Sequence, residues 1–393
     1  MDALSKSLTE FFQTHSALQT IYIAYSGGLD STVLLHSIAR LISPAKKLCA
    51  IHINHNIHPD SEAWENHCGN VAKSLKIEFL SETLLFDEPP KKDLENTLRN
   101  LRYEIFAKYM DAGSILLTAH HQDDQAETLL LQLLRGAGPK GLSAMPVIKS
   151  FSKGWHARPF LSFSRTELLQ YAKENHLTWI EDDSNVNIDF TRNFLRHEIL
   201  PKLNERWPDV SVLLARSAEH CANTEKLLSH FLQNDLEGCA GKQPGTLSVE
   251  KLMGFDLLRR QYILRAWIMQ HGFILPSQKK LQQITESVMK AGIDRQPHLS
   301  WGEVEVRRYR DDLYVMKKLP PHDATKIIPC EEKNKTIRFR QGGEKIQLPG
   351  RTHRHCLKKI LQEKGIPPWL RDRVPLVYEG EVLVSVAENL DAT

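Results

Sequence analysis

The residues best placed to do chemistry are Ser26-Gly27-Gly28-Leu29-Asp30-Ser31, set between an apolar run at 21–25 and another at 32–36. The first run reads as a buried strand and the second as the opening of an apolar helix. Strand, glycine-rich turn and helix is the local geometry that holds a phosphate group: free backbone N–H groups at the helix start face the anion, and the helix dipole favours negative charge there. Gly27 and Gly28 let the backbone approach closely, and Ser26 and Ser31 add hydroxyl donors. Asp30 repels phosphate by itself and makes sense with a bridging Mg²⁺. The pattern is not G-x-x-x-x-G-K-[ST], because Asp30 stands where that loop needs its lysine, and it is not G-x-G-x-x-G. The bland alternative is a turn with an N-cap serine.

A second cluster, Thr118-Ala119-His120-His121-Gln122-Asp123-Asp124-Gln125-Ala126-Glu127-Thr128, follows another apolar strand and opens another helix. Asp124 and Glu127 can share a Mg²⁺ with Asp30, and His120 can contact phosphate or support proton transfer. Asp123 reads as an ordinary first-turn acid. Arg99 and Arg102, three apart on one helix face, suit phosphate or carboxylate, as well as plain ion pairing. Arg192, Arg196 and His197 form a basic ridge after Asp182-Asp183-Ser184-Asn185. That ridge suits a triphosphate, an RNA backbone or solvent.

The elements that position these groups alternate. Strands are expected at 21–25, 48–53, 115–119 and 178–181, and helices at 31–42, 61–75, 96–112, 124–134, 164–174 and 190–206. Gly113 falls where a glycine ends a helix, and Ser164-x-x-Glu167 is a capping box. Such alternation implies a largely parallel sheet, with the ligand beyond the carboxyl ends of its strands. The fold expected is α/β: a Rossmann-like parallel sheet over 1–207, a mainly helical domain over 208–318 with a hairpin around Asp311-Asp312, and a small basic α/β domain over 319–393.

The net charge of +3 hides an asymmetry. Between Lys333 and Arg373 there are twelve Lys/Arg against three Asp/Glu, a balance of +9 that leaves −6 for the rest. A block like that is the footprint of a polyanion, most simply RNA. Gly350-Arg351-Thr352 leads into a basic helix, and Trp369 beyond it can stack on RNA or fill the core of its domain. The six cysteines are scattered, with no C-x-x-C pair, which favours reduced thiols over disulfides or zinc. No apolar run is long enough for a membrane span and the first residues lack the pattern of an export signal, so a cytoplasmic protein is expected. The oligomeric state is open, a homodimer included.

Taken together and in order, these motifs resemble the tRNA(Ile)-lysidine synthetase family of pyrophosphate-loop ATPases. The resemblance rests on residues 26–31, Glu95 with Arg99, Arg102 and Tyr103, residues 118–128 with 134–138, Arg158-Pro159-Phe160-Leu161, and the stretches 181–185, 190–201 and 348–373. It implies an enzyme that modifies the wobble cytidine of the CAU anticodon in tRNA(Ile). The C2 oxygen would attack the α-phosphate of ATP, and the ε-amine of L-lysine would then displace AMP. On that reading Asp30 and Asp124 hold Mg²⁺, and His120, Arg99, Arg102 and Arg192 serve the phosphates or the transition state. The chain departs from the family at Asn56-Ile57-His58, where a glycine is usual; asparagine tolerates positive φ, so the turn is expected to survive. The last residues, 387–393, look less like the family. Two rivals are a tRNA thiolase, which needs catalytic cysteines near the ATP site, and a nucleotide-gated RNA binder without chemistry.

Overall fold

The computed structural model describes residues 2–42, 46–84, 94–182, 187–292, 295–325, 327–329, 335–347 and 353–386. Asp183, Ser184, Asn185, Cys330, Lys333, residues 348–352 and 387–393, and the side chain of Glu95, lie outside them. The chain divides into two compact units, 1–227 and 228–393.

In the first unit, helix α1 (Ala3–Thr14) leads to β1 (Thr20–Ala24), α2 (Leu29–Leu41), β2 (Lys47–Asn54), α3 (Ser61–Ser74) and β3 (Glu78–Thr83). Then come α4 (Leu94–Tyr109), β4 (Ser114–Leu117), α5 (Gln122–Leu134), the short α6 (Pro139–Leu142), the hairpin β5 (Ile148–Phe151) and β6 (Gly154–Ala157), and α7 (Arg165–Glu174). The strands form one sheet in the order β3-β2-β1-β4-β6-β5. All pairings are parallel except β5 with β6. The chain steps outward from β1 to β3, then crosses back to lay β4 on the other side of β1. The switch point therefore lies between the carboxyl ends of β1 and β4, where a doubly wound sheet opens a crevice. The apolar runs explain the core: Ile21, Ile23, Val33, Leu34, Leu35, Ile38, Ile115 and Leu117 are all fully buried.

Three of the expected strands appear, as β1, β2 and β4. The fourth, 178–181, does not. That segment is irregular, and Ile180 N–H donates to the Gly27 carbonyl at 2.9 Å, so it closes over the loop instead of extending the sheet. Asn56 adopts φ 51°, the turn expected of it, with its N–H on the Asn54 side chain at 2.8 Å. Gly113 has φ 93°, but α4 ends earlier, at Tyr109. The expected helix over 190–206 is α8 (Thr191–Phe194), a π-helical turn (Leu195–Ile199) and α9 (Leu200–Arg206). Pro201 is the physical reason: it has no N–H for the carbonyl four residues back, and the widened turn accommodates its ring. Helix α10 (Val210–Gly238) follows.

In the second unit, β7 (Leu247–Ser248), α11 (Val249–Met253), α12 (Leu257–Gln270), α13 (Gln278–Gln283), β8 (His298–Trp301), β9 (Val304–Tyr309) and β10 (Asp312–Lys317) follow α10. The expected hairpin is β9–β10, turned through Arg310 at φ 55°, within an antiparallel sheet β7-β10-β9-β8 around Trp267, Leu264, Val306 and Leu313. The remainder is β11 (Ile328–Pro329), β12 (Lys335–Phe339), β13 (Lys345–Ile346), β14 (His355–Cys356), α14 (Leu357–Glu363), α15 (Pro368–Arg371), β15 (Pro375–Glu379) and β16 (Val382–Val386). Its sheet, β11-β12-β15-β16, is antiparallel. Trp369 packs edge-on against Tyr309 and Tyr314 of the hairpin, with the Arg307 guanidinium 5.3 Å from its ring centre, so it serves packing within this unit. No helix among the described residues is long and apolar enough to cross a membrane.

Candidate active site at the sheet switch point

The loop leaves β1 and becomes the first turn of α2, with Gly28 as N-cap in extended conformation. Gly27 has φ 85°, and a β-carbon there would meet Ile180 Cδ1 at 2.5 Å and Cys68 Sγ at 2.8 Å. Only glycine fits. Gly27→Ala is expected to lose about 1–3 kcal/mol from backbone strain alone, with the clash added. A denaturant titration checks this: adding Ile180→Ala should recover the Ile180 part of the clash and leave the strain and the Cys68 contact. The serines hold the turn, with Ser31 Oγ donating to the Gly28 carbonyl at 3.0 Å and lying 3.1 Å from Ser26 Oγ.

Asp30 enters the crevice from the first turn of α2. Its Oδ1 is buried and has no hydrogen-bond partner. Burial raises its carboxyl pKa, with His121 working against that rise. His121, the N-cap of α5, is the hub: its Nε2 lies 3.6 Å from Asp30 Oδ2 and 3.5 Å from Asp124 Oδ2. Its Nδ1 is 3.5 Å from Asp123. Burial favours the neutral ring, but Asp124, Asp123 and Asp30 outweigh it and raise its pKa. Asp123 also accepts from the Arg165 N–H at 3.1 Å and so fixes the start of α7.

Asp124 and Glu127, one turn apart on α5, face Arg192 and Arg196, one turn apart across the π-helical turn. Glu127 is fully buried and takes Nε of both arginines at 2.6 Å. Asp124 Oδ1 takes Nη2 of Arg192 at 3.2 Å and of Arg196 at 3.0 Å, while Oδ2 accepts the His121 N–H at 3.0 Å. Burial opposes ionisation of Asp124, but His121 and Arg192 outweigh it and hold the carboxyl below its usual range. Glu127 is thus spent on arginines, which corrects the expectation that it shares a cation with Asp30. Arg192 is clamped by the same pair. Arg99 and Arg102 lie on α4 beside Tyr103, their guanidinium carbons 5.5 and 5.9 Å from its ring centre.

The structure thus brings Asp30, Asp124 and His120 together at the ends of β1 and β4, with Ser26–Ser31 beside them. The sequence names His121 and Arg158 within their motifs without a role for either, and Arg196 only as part of a basic ridge. The signal for Arg196 was present: two acids spaced i, i+3 opposite two arginines spaced i, i+4. Arg158 is buried and donates to the Pro146 carbonyl at 2.9 Å.

Among the described residues no three or more His, Cys, Asp or Glu form a self-contained metal cage. Two carboxylates suit Mg²⁺, which is usually bound by one or two carboxylates plus substrate phosphates and water. The orphaned Asp30 Oδ1 fits the role of a cation ligand at this point. Cys49 and Cys68 are buried, their thiols pushed up to about 12 by burial, which suits inert packing and not a thiolase.

This arrangement matches known families. A family model described as the PP-loop domain matches residues 1–203, one described as the TilS substrate binding domain matches 247–314, and one described as the TilS substrate C-terminal domain matches 336–390. The first half of the chain is therefore a pyrophosphate-loop ATPase domain, and the α/β fold expected from the sequence is borne out. The tRNA(Ile)-lysidine synthase of Coxiella burnetii (strain RSA 493 / Nine Mile phase I) is 41% identical, covering 97% of this chain and 91% of that one. Those of Legionella pneumophila (strain Paris) and Methylococcus capsulatus are each 38% identical over 93% of this chain and 90% and 91% of theirs. The chain belongs to the tRNA(Ile)-lysidine synthase family. It is an ATP-dependent ligase of tRNA modification.

Proposed function

We propose that the protein joins L-lysine to C2 of the wobble cytidine in the CAU anticodon of tRNA(Ile), in the cytoplasm. The supporting observation is the meeting of the Ser26–Ser31 loop with Asp30, Asp124 and His120 at one crevice. In the first step the C2 oxygen attacks the α-phosphate and pyrophosphate leaves. In the second the ε-amine of lysine attacks C2, loses a proton, and AMP leaves. The N–H groups at the start of α2 and the Ser26 hydroxyl receive the phosphates, and the Ser31 hydroxyl joins them by turning its proton away from the Gly28 carbonyl. A β-carbon on Gly28 would meet protein atoms only at 3.7 Å or beyond, so the missing side chain leaves room for the incoming anion. Asp30 and Asp124 would hold Mg²⁺, which supplies positive charge to the leaving pyrophosphate. Arg99 and Arg102 bring further positive charge to the phosphates or the transition state. Arg192 acts here through its clamp on Asp124.

The carrying experiment follows ATP labelled at the α-phosphate, with Mg²⁺ and unmodified tRNA(Ile). AMP is the expected labelled product. ADP, or AMP formed equally without tRNA, contradicts the reading. The C-terminal basic face includes the exposed Arg354, Lys358 and Lys359. Replacing all three with alanine is expected to weaken tRNA binding and to lower the slope of log K against log salt by about 2–3. An unchanged slope removes that face from the RNA interface.

A further inference from the structure

Behind His120 lies a chain of hydrogen bonds whose direction is set from its far end. Arg158 Nη2 lies 3.4 Å from His156 Nδ1, His156 Nε2 lies 2.9 Å from Thr118 Oγ1, and Thr118 Oγ1 lies 2.8 Å from His120 Nδ1. A guanidinium only donates, so His156 Nδ1 must be an acceptor. His156 is fully buried, and its remaining ring proton then sits on Nε2 and is donated to Thr118. Accepting from His156 leaves the one hydroxyl proton of the threonine available for His120 Nδ1, 2.8 Å away, and we take it as donated there. The proton of neutral His120 is left on Nε2. Nothing among the described residues accepts from that nitrogen, and His120 is half-buried at the end of β4, next to the strand that carries the phosphate loop.

We propose that Arg158, His156 and Thr118 are positioning residues that lock His120 as a neutral Nε2–H donor toward the phosphates of ATP. This rests on the functional reading above and sharpens it: of the two roles left open for His120, the relay selects hydrogen-bond donation over proton transfer. A donor held in place serves the charge that develops on phosphate oxygens without reorganising during the reaction. The surroundings agree: burial, with Arg158, Arg192 and Arg102 outweighing Asp124, pushes the His120 pKa down to about 3, and burial with Arg158 pushes that of His156 to about 2.

The test has a spectroscopic and a kinetic arm, both on the full chain. Long-range ¹H–¹⁵N spectra of histidine-labelled protein at neutral pH, assigned with His120→Gln, should show His120 with bare Nδ1 and protonated Nε2. A proton on Nδ1 overturns the proposal. Thr118→Val keeps the volume and removes the relay hydroxyl. It should mix the tautomers and lower kcat for AMP formation by about 10- to 100-fold, as loss of groups that orient a functional histidine does elsewhere, with KM for tRNA unchanged. Thr118→Ser should restore both the single tautomer and the rate. A valine variant at full rate, or a serine variant as slow as valine, overturns the proposal. Should the parent show the Nε2–H tautomer yet form no AMP with any tRNA, the relay stands and the ligase reading fails.

Discussion

Asp30→Asn lowers tRNA adenylation by about 10³-fold and leaves tRNA binding intact. The variant keeps the shape of the side chain and removes its charge. Asp30 Oδ1 is buried without a partner, and burial raises the carboxyl pKa, so the native carboxylate is held in an unfavourable place for folding. The variant should therefore be no less stable than the parent. Stability by denaturant titration, tRNA affinity by filter binding and AMP formation by labelled ATP separate the outcomes. A variant that keeps its rate removes Asp30 from the chemistry. One that loses rate, stability and tRNA affinity together means that Asp30 is a structural residue.

Glu127→Ala should unfold the site from behind. Glu127 is fully buried and joins Arg192 and Arg196, each through Nε at 2.6 Å. Breaking a buried ion pair from one side leaves uncompensated charge, at a cost of about 3–5 kcal/mol. The loss should appear in a urea or guanidinium titration as a lower midpoint with little change in slope. Arg192 and Arg196 also hold Asp124, so the residual folded protein should make AMP slowly. A loss under about 1 kcal/mol would mean that water or a neighbour compensates the arginines, and that the clamp is not what fixes Asp124.

Much of the first unit was legible because its chemistry and its periodicity coincide. The loop from Ser26 to Ser31 sits between two apolar runs, and that arrangement alone places it at a strand end. The hidden parts depend on contacts distant in sequence. Ile180 lies on a stretch that reads as a strand, and nothing local says that its N–H goes to Gly27 (a residue far upstream) instead of a ladder. Edge strands β3 and β5 are partly exposed along their length, so they lack a buried apolar pattern. The role of Glu127 was legible only in part: its spacing from Asp124 was visible, but whether the pair takes a cation or two guanidiniums depends on where α8 folds back. Trp369 shows the same limit, since its partners Tyr309 and Tyr314 come from a hairpin far upstream in the sequence.

The most direct measurement supplies the full chain with ATP, Mg²⁺, radiolabelled lysine and unmodified tRNA(Ile), and counts label in the RNA beside AMP released. One lysine per AMP, in a nucleoside derived from the wobble cytidine and absent when elongator tRNA(Met) replaces the substrate, is the expected result. AMP release with no lysine in the RNA, or label elsewhere than that cytidine, contradicts it.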